Sequence, residues 1–216
     1  MYRSEEDYLK QIYELSIEQG RQQIKTSELS EHMGFSDQSV NEKVKKLVHK
    51  DYLIFEPYKG ITLTQKGIDE AIRMVRAHRL WEVFLYKELN FPWMALHDDA
   101  EELEHASSPQ IIEALYHYLS EPQYCHHGNP IPNLEGVVSD IAKKQLFEME
   151  VGDTFVVNRV MDKHDLLIFL DGVGIKIGTS LTVLDKNEFA GYFLVEIDGD
   201  EHQITVPISK MIFTFA

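Results

Sequence analysis

The apolar residues of this 216-residue chain change their period three times, and that limits the folds open to it. Tyr8, Leu9, Ile12, Tyr13 and Leu15 recur at helical spacing within residues 4–19, with Ser4 as the expected cap and Gly20 as the stop. Thr26 opens a second helix, TSELSEHMG, closed by Gly34. Ser36 or Asp37 caps a third, DQSVNEKVKKLVHKD, with Val40, Val44, Leu47 and Val48 inward. The period then shortens: YLIFEPYKGITLT holds two β-rich runs around Pro57–Gly60 and predicts a hairpin. Helical spacing resumes from Gln65 to about Leu89, over 95–106, from Pro109 through PQIIEALYHYLS, and as a short helix over 135–147. From about residue 150 five short runs predict strands: DTFVVNRVM, LLIFLD, SLTVLDK, YFLVEID and HQITVPI. The expected class is mainly α with small β. A winged helix-turn-helix occupies 1–64, a helical domain 65–147, and an SH3-like β-barrel 148–216.

A net charge of -15 argues at first against a nucleic-acid partner, but its distribution reverses the argument. Residues 21–76 hold ten Lys/Arg against eight Asp/Glu, whereas residues 77–216 hold nine against twenty-three. The slightly basic segment coincides with the helix-turn-helix, and the acidic remainder suits cations. No apolar run approaches the roughly 18 residues needed to span a bilayer. The acidic start does not resemble a signal peptide. One cysteine, Cys125, cannot pair internally, so a reducing cytoplasm and no membrane partner are expected.

In the third helix Ser36, Gln38, Ser39, Asn41, Lys45 and Lys46 fall off the apolar stripe. Short polar side chains near a helix start reach base edges, and lysines further along suit phosphates. Tyr58 and Lys59 at the hairpin tip would meet the backbone or the minor groove. The plainer alternative is a set of amphipathic helices with solvated outer faces.

Metal-ligand residue types concentrate behind this head. His78 and Glu82 stand at i, i+4 in the long helix, and Glu101, Glu104 and His105 at i, i+3, i+4 in the next. Cys125 and His127 share a Pro/Gly-rich loop, and Asp7 on the first helix would tie head to body through an ion. Carboxylate and imidazole together suit a hard or borderline divalent cation. Each feature has an ordinary reading as a surface hydrogen bond or solvated acidic face. Their combination behind a wing is what singles them out.

The stretches EDYLKQIYEL, KVKKLVHKDYLIFEPYKGITLTQKG, RAHRLWEVFL, HDDAEELEH and CHHGNPIPN resemble the diphtheria toxin repressor family, most nearly its manganese-responsive branch, over almost the whole chain. The C-terminal part resembles the SH3-like (FeoA-type) domain of the longer members. The resemblance implies a homodimer joined through the helical region, not an enzyme. It would bind operator DNA when Mn(II), or alternatively Fe(II), is present and would repress metal-uptake and homeostasis genes. Zn(II), Cd(II) or Co(II) would substitute in vitro. It implies two sites: Glu82, Cys125, His127 and Asp162; and Asp7, His78, Glu101, Glu104 and His105. His97 takes the place of an ancillary ligand in the iron-responsive branch. Lys10 stands where some manganese regulators carry a glutamate ligand, which argues against two ions at the second site and would let the lysine partly neutralise that site itself. The expected switch is electrostatic: without metal, Asp7, Glu101 and Glu104 repel and leave the head loosely oriented. Two rivals remain at this point, a winged regulator of an organic ligand and a metal-dependent hydrolase, although no general base is placed by motif.

Overall fold

The computed structural model describes residues 2–18, 20–187 and 189–215. Helix α1 (Arg3–Tyr13) is capped differently from expectation: Tyr2, not Ser4, is the extended residue before it, and the Glu5 carboxylate accepts from the Tyr2 N–H at 3.2 Å. After Tyr13 the chain widens into a π-helical turn over Glu14–Glu18, and residue 19 of the expected helix lies outside the described residues. Helix α2 (Thr26–Met33) ends on Gly34, whose φ of +71° is the left-handed conformation that glycine takes without a Cβ penalty. Helix α3 (Asp37–His49) starts on Ser36, whose hydroxyl accepts from Ser39 N at 3.3 Å. Strands β1 (Leu53–Glu56) and β2 (Gly60–Leu63) pair antiparallel as the hairpin.

Helix α4 (Gln65–Leu89) is the spine. Thr64 caps it through Gly67 N at 3.0 Å, and Asn90 ends it at φ +54°. Its first turns join the head core, where Ala71 and Val75 pack with Leu9, Ile12, Val40 and Leu47. Its last turns join a second core through Leu85, which meets Trp93, Leu96 and the interior of the C-terminal domain. Its middle turns bury Ala77, Leu80 and Val83 against Ile112, Leu115 and Ile131 in a third core. Each fully buried leucine stabilises by about 1.5–3 kcal/mol, so one rod ties three cores together. Helices α5 (Leu96–Ala106) and α6 (Pro109–Tyr118) pack on α4.

The chain after α6 departs from the sequence reading in four places, one of them the run DTFVVNRVM, which splits into two strands that join different sheets. Residues 135–143 form no helix: Gly136 sits at φ +77°, and the segment is held by Arg159, whose Nε donates to Ala142 O at 2.8 Å. LLIFLD is not a strand but lies in helix α7 (His164–Gly172), which buries Leu166, Leu167 and Leu170. The run HQITVPI leaves its strand at Thr205, and Pro207 starts a short turn, α8 (Val206–Ser209). The strands form two sheets. One is three-stranded, β3 (Lys144–Gln145), β9 (Ile212–Thr214) and β5 (Arg159–Val160); the other has β4 (Thr154–Val156), β6 (Ser180–Asn187), β7 (Tyr192–Ile197) and β8 (Asp200–Thr205) in that order. Both line one core through residues such as Phe155, Phe193 and Ile212. No helix among the described residues is long and apolar enough to cross a membrane.

Candidate metal centres and DNA-binding face

Metal-ligand side chains collect at the two seams of this fold. At the seam between head and α5, Asp7 of α1 converges with Glu101, Glu104 and His105 of α5, with one ligand atom from each within 4.8 Å of the others. Helical spacing puts the three α5 residues on one face, and α1 lies across that face. At the other seam, Glu82 of α4 joins Cys125 and His127 of the loop, and also joins His78, His97 and Asp162.

Three anchors place the Cys-His loop. Arg76 and Arg79 of α4 donate to the backbone oxygens of Pro132 and Pro130, the first at 2.6 Å. The loop closes on itself, with Cys125 N to Asn129 O at 2.9 Å and Gly128 N to Cys125 O at 3.0 Å. Strand β5 then binds it, Val160 N donating to His127 O at 2.9 Å. Two residues past β5, Asp162 arrives with Oδ1 3.7 Å from His127 Nδ1. Asp162 converges more closely with the histidines of the body, Oδ2 lying 2.7 Å from His97 Nδ1 and 3.5 Å from His78 Nε2.

His78, assigned by sequence to the second set, stands between both. Its Nδ1 is 2.6 Å from Glu104, and its Nε2 is 3.4 Å from Glu82. Lys10, the departure noted in the sequence, fills the head seam. Its ammonium is 2.5 Å from Glu101 and 2.8 Å from Glu104, with the side chain only 2% exposed. Asp7, Glu101 and Glu104 therefore do not face one another uncompensated, which corrects the repulsion expected from sequence. Arg3 also pairs with Glu102 at 2.7 Å across the same seam, an exposed pair of small energetic weight.

Sequence reading missed the support of His105. Glu6 Oε2 lies 2.7 Å from its Nδ1, and Arg73 of α4 holds Glu6 Oε1 at 2.7 Å. With Nδ1 bonded to a carboxylate, Nε2 is the nitrogen turned toward Asp7. The only signal in the sequence is a carboxylate beside Asp7, which carries no pairing information.

Burial and charge set the protonation of these groups. Burial alone would lower the pKa of His127, but Glu82 and Asp162 beside it raise it well above the ordinary histidine value. Burial likewise opposes His78, and Glu82, Asp162 and Glu104 raise it against both that and Lys10. Burial would raise Glu82, yet His127 holds it down at about 2. Burial and then Glu82 push the Cys125 thiol up, so its thiolate needs a cation beside it.

The chemistry of the donor set fits a divalent cation. Asp7 Oδ1, His105 Nε2, Glu82 Oε2 and Asp162 Oδ1 are buried without a hydrogen bond. Asp7 Oδ1 and His105 Nε2 are nevertheless 2.9 Å apart. Two neighbouring ligands at about 2.1 Å from one ion lie about 3 Å apart, so this spacing without hydrogen-bond alignment is what shared coordination requires. A cavity of about 270 Å³ is lined by Lys10, His78, Glu82, His97 and Asp162 among others, so the group of His78, Glu82, His97 and Asp162 borders open space.

In the head, Ser36 at the cap of α3 and Gln38, Ser39, Lys45 and Lys46 within it are exposed. Asn41 is half-buried and its amide donates to Asp37 O at 2.8 Å. Tyr58 stands fully exposed at the hairpin tip at φ +67°, next to Lys59, whose ammonium is 2.6 Å from Glu56.

Comparison with known proteins agrees with this layout. Residues 1–61 match the model of the iron dependent repressor N-terminal DNA binding domain, 64–133 the iron dependent repressor metal binding and dimerisation domain, and 144–214 the FeoA domain. The iron-dependent repressor IdeR of Mycobacterium tuberculosis is 29% identical over 215 residues, covering 94% of this chain and 91% of its own. A manganese-dependent transcriptional repressor solved in complex with manganese superposes with a TM-score of 0.88 at 35% identity, over 97% of this chain and 98% of that one. The repressor ScaR with bound Cd2+ gives 0.85 at 33% identity, over 97% of each chain.

Proposed function

The chain belongs to the iron-dependent, or diphtheria toxin, repressor family, and from that premise we propose that its two seams are the metal sites through which it is switched. It is a metal-dependent transcriptional repressor of metal homeostasis, not an enzyme, and it binds operator DNA as a homodimer. Its activating ion is Mn(II) or Fe(II), with Zn(II), Cd(II) and Co(II) as substitutes in vitro. The first site is Glu82, Cys125, His127 and Asp162, with His97 beside it; the second is Asp7, Glu101, Glu104 and His105. His78 is reached from both. An operator-binding protein works where the DNA is, in the cytoplasm, and no membrane partner enters this reading.

When bound, the ion supplies positive charge that carboxylates from different domains can share. The residues supply the rest. Asp7 is fixed to α1, so drawing it onto α5 fixes the orientation of α1 and of the α2–α3 pair packed against it. Asp162 does the same for the C-terminal domain, which it clips to α4 beside Glu82. Restricting head motion in a dimer reduces the freedom lost on DNA binding, so metal and operator become positively coupled, by a typical 1–3 kcal/mol or roughly 5- to 150-fold. Recognition helices must meet half-sites about 34 Å apart or a multiple of that. The dimer face we assign is the exposed apolar side of α6 and the end of α4: Ile111, Tyr118 and Leu89 are each at least half exposed.

The observation that carries this reading is the set of buried, unbonded ligand atoms at both domain seams. Operator binding at fixed salt, measured with a chelator and then with a series of divalent ions, tests it. Loss on chelation with recovery in Mn(II) or Fe(II) is expected. Binding that ignores the chelator would overturn it.

A further inference from the structure

Lys10 is an unusual residue to find where it is. It lies on α1, in the head, with its side chain 2% exposed, and its ammonium reaches α5 rather than solvent. Three contacts use its three protons: Glu101 Oε2 at 2.5 Å, Glu104 Oε1 at 2.8 Å and Glu104 Oε2 at 3.0 Å. Both carboxylates belong to the cluster of Asp7, Glu101, Glu104 and His105. Burying a lysine this deeply is costly unless it is paired. Two carboxylates at hydrogen-bond distance supply that pairing, so the buried side chain keeps its ammonium form.

We propose that Lys10 is the built-in counter-ion of this cluster: it latches α1 to α5 when no metal is bound, restricts the cluster to one divalent ion, and sets the concentration at which that ion enters. This rests on the reading of the cluster as a metal site given above. The charge count supports it. Three carboxylates less one ammonium leave -2, which one divalent ion neutralises; a second ion would leave an excess of +2 in a buried seam. An entering ion must also share Glu101 and Glu104 with an ammonium that already holds them at hydrogen-bond distance. Affinity is therefore lower than the same ligands would give alone. A regulator that must stay empty until its metal is abundant needs such a threshold. The latch also explains why the seam is closed with a fixed charge present: the lysine supplies in part what the ion completes.

The test replaces the charge and keeps the length: Lys10→Met in a Cys125→Ala background, which weakens the other cluster, with the Mn2+ step that Asp7→Ala removes taken as the reading of this one. Relative to the same background with Lys10, the expected result is Mn2+ binding at least 10-fold tighter, or uptake of a second ion, with a lower melting temperature without metal and a larger rise on adding Mn2+. If the metal-free variant does not fold, refolding with Mn2+ present takes its place, and recovery of the fold supports the latch. Unchanged or weaker Mn2+ affinity at unchanged stoichiometry overturns it, as does failure of Mn2+ to restore a variant that needs it. These outcomes separate from the functional reading. If the Lys10 protein takes up Mn2+ at this cluster and Lys10→Met matches it, only the counter-ion role is lost; if neither takes up Mn2+, the metal site is lost as well.

Discussion

Nδ1 of His78 lies 2.6 Å from Oε2 of Glu104, both side chains buried, and this contact joins the two clusters. A carboxylate facing Nδ1 places the proton there, which leaves Nε2 turned toward Glu82 and Asp162 at 3.4 and 3.5 Å. One imidazole thus orients a carboxylate of the head seam and turns its other nitrogen to the other seam, where an entering ion would displace the proton that Glu82 and Asp162 favour on it. His78→Phe keeps the ring volume and removes both nitrogens. We expect metal affinity to fall by at least about 10-fold at both clusters, on the scale of losing a supporting hydrogen bond to a ligand. Cys125→Ala should weaken one cluster alone. Titration of each variant with Mn2+ checks this, and a His78→Phe protein that keeps either affinity would sink the shared role.

Glu6 supports His105 from behind, with Arg73 holding Glu6 in turn. Glu6→Gln preserves shape and removes the charge that fixes the imidazole tautomer. Weaker metal binding at the head cluster by about 10- to 100-fold is expected, with the other cluster unaffected. Equal loss at both clusters would point instead to a general loosening of the fold.

The elements legible in the sequence were those with local signals. Helix α4 spans Gln65–Leu89, as its apolar spacing predicts, and Thr64 and Asn90 close its two ends locally, by a cap hydroxyl and a left-handed backbone. LLIFLD was read as a strand because a continuous apolar run has no period, and only its packing on the C-terminal core makes it α7. The candidate ligands were legible as residue types at helical spacing. Their grouping, and the place of Lys10 beside the second set, came only through the resemblance: Lys10 and Glu104 are 94 positions apart, and no local pattern brings an ammonium to the seam. Nor does spacing reveal that the two nitrogens of His78 face different clusters, since that depends on how α5 and the segment after β5 cross α4.

Gly128 allows the Cys-His loop to lie against the C-terminal domain. A Cβ there would sit 1.9 Å from Asn158 O and 2.8 Å from the Arg159 Cα, at a φ of +77°. Gly174 has nearly the same φ, +76°, and open space around it. Gly174→Ala should cost about 1 kcal/mol from backbone strain alone. Gly128→Ala should cost at least about 2–3 kcal/mol more, because backbone must move. Metal binding at the Cys125 cluster should fall with it. Thermal unfolding of the two variants side by side reads the difference, and equal melting temperatures would remove the close approach as a constraint.

The assigned dimer face predicts that a charge at its centre separates the subunits. Ile111 and Tyr118 are seven residues apart on α6, so they share one side of the helix, and Tyr118 OH bonds Glu88 at the end of α4 at 3.1 Å. Ile111→Glu should give monomers at micromolar concentration by sedimentation, with Mn2+ binding retained and operator affinity strongly reduced. A dimeric Ile111→Glu protein would move the interface elsewhere.

The DNA face is tested through salt rather than affinity alone. Lys45 and Lys46 are exposed late in α3, where the helix nears a backbone, and Gln38 and Ser39 are exposed at its start, where side chains reach bases. Each lysine that contacts a phosphate contributes about 0.9 to the slope of log affinity against log salt. Lys45→Ala and Lys46→Ala should each lower that slope by about this amount and weaken specific and non-specific DNA alike. Gln38→Ala should leave the slope unchanged and reduce discrimination between operator and altered operator by about 1–3 kcal/mol. Gln38 also bonds Glu42 at 3.3 Å, so Glu42→Ala serves as the control for an effect that only frees the glutamine. A Gln38→Ala protein with a smaller salt slope and intact discrimination would place this residue on a phosphate, and shift the reading of bases further along the helix.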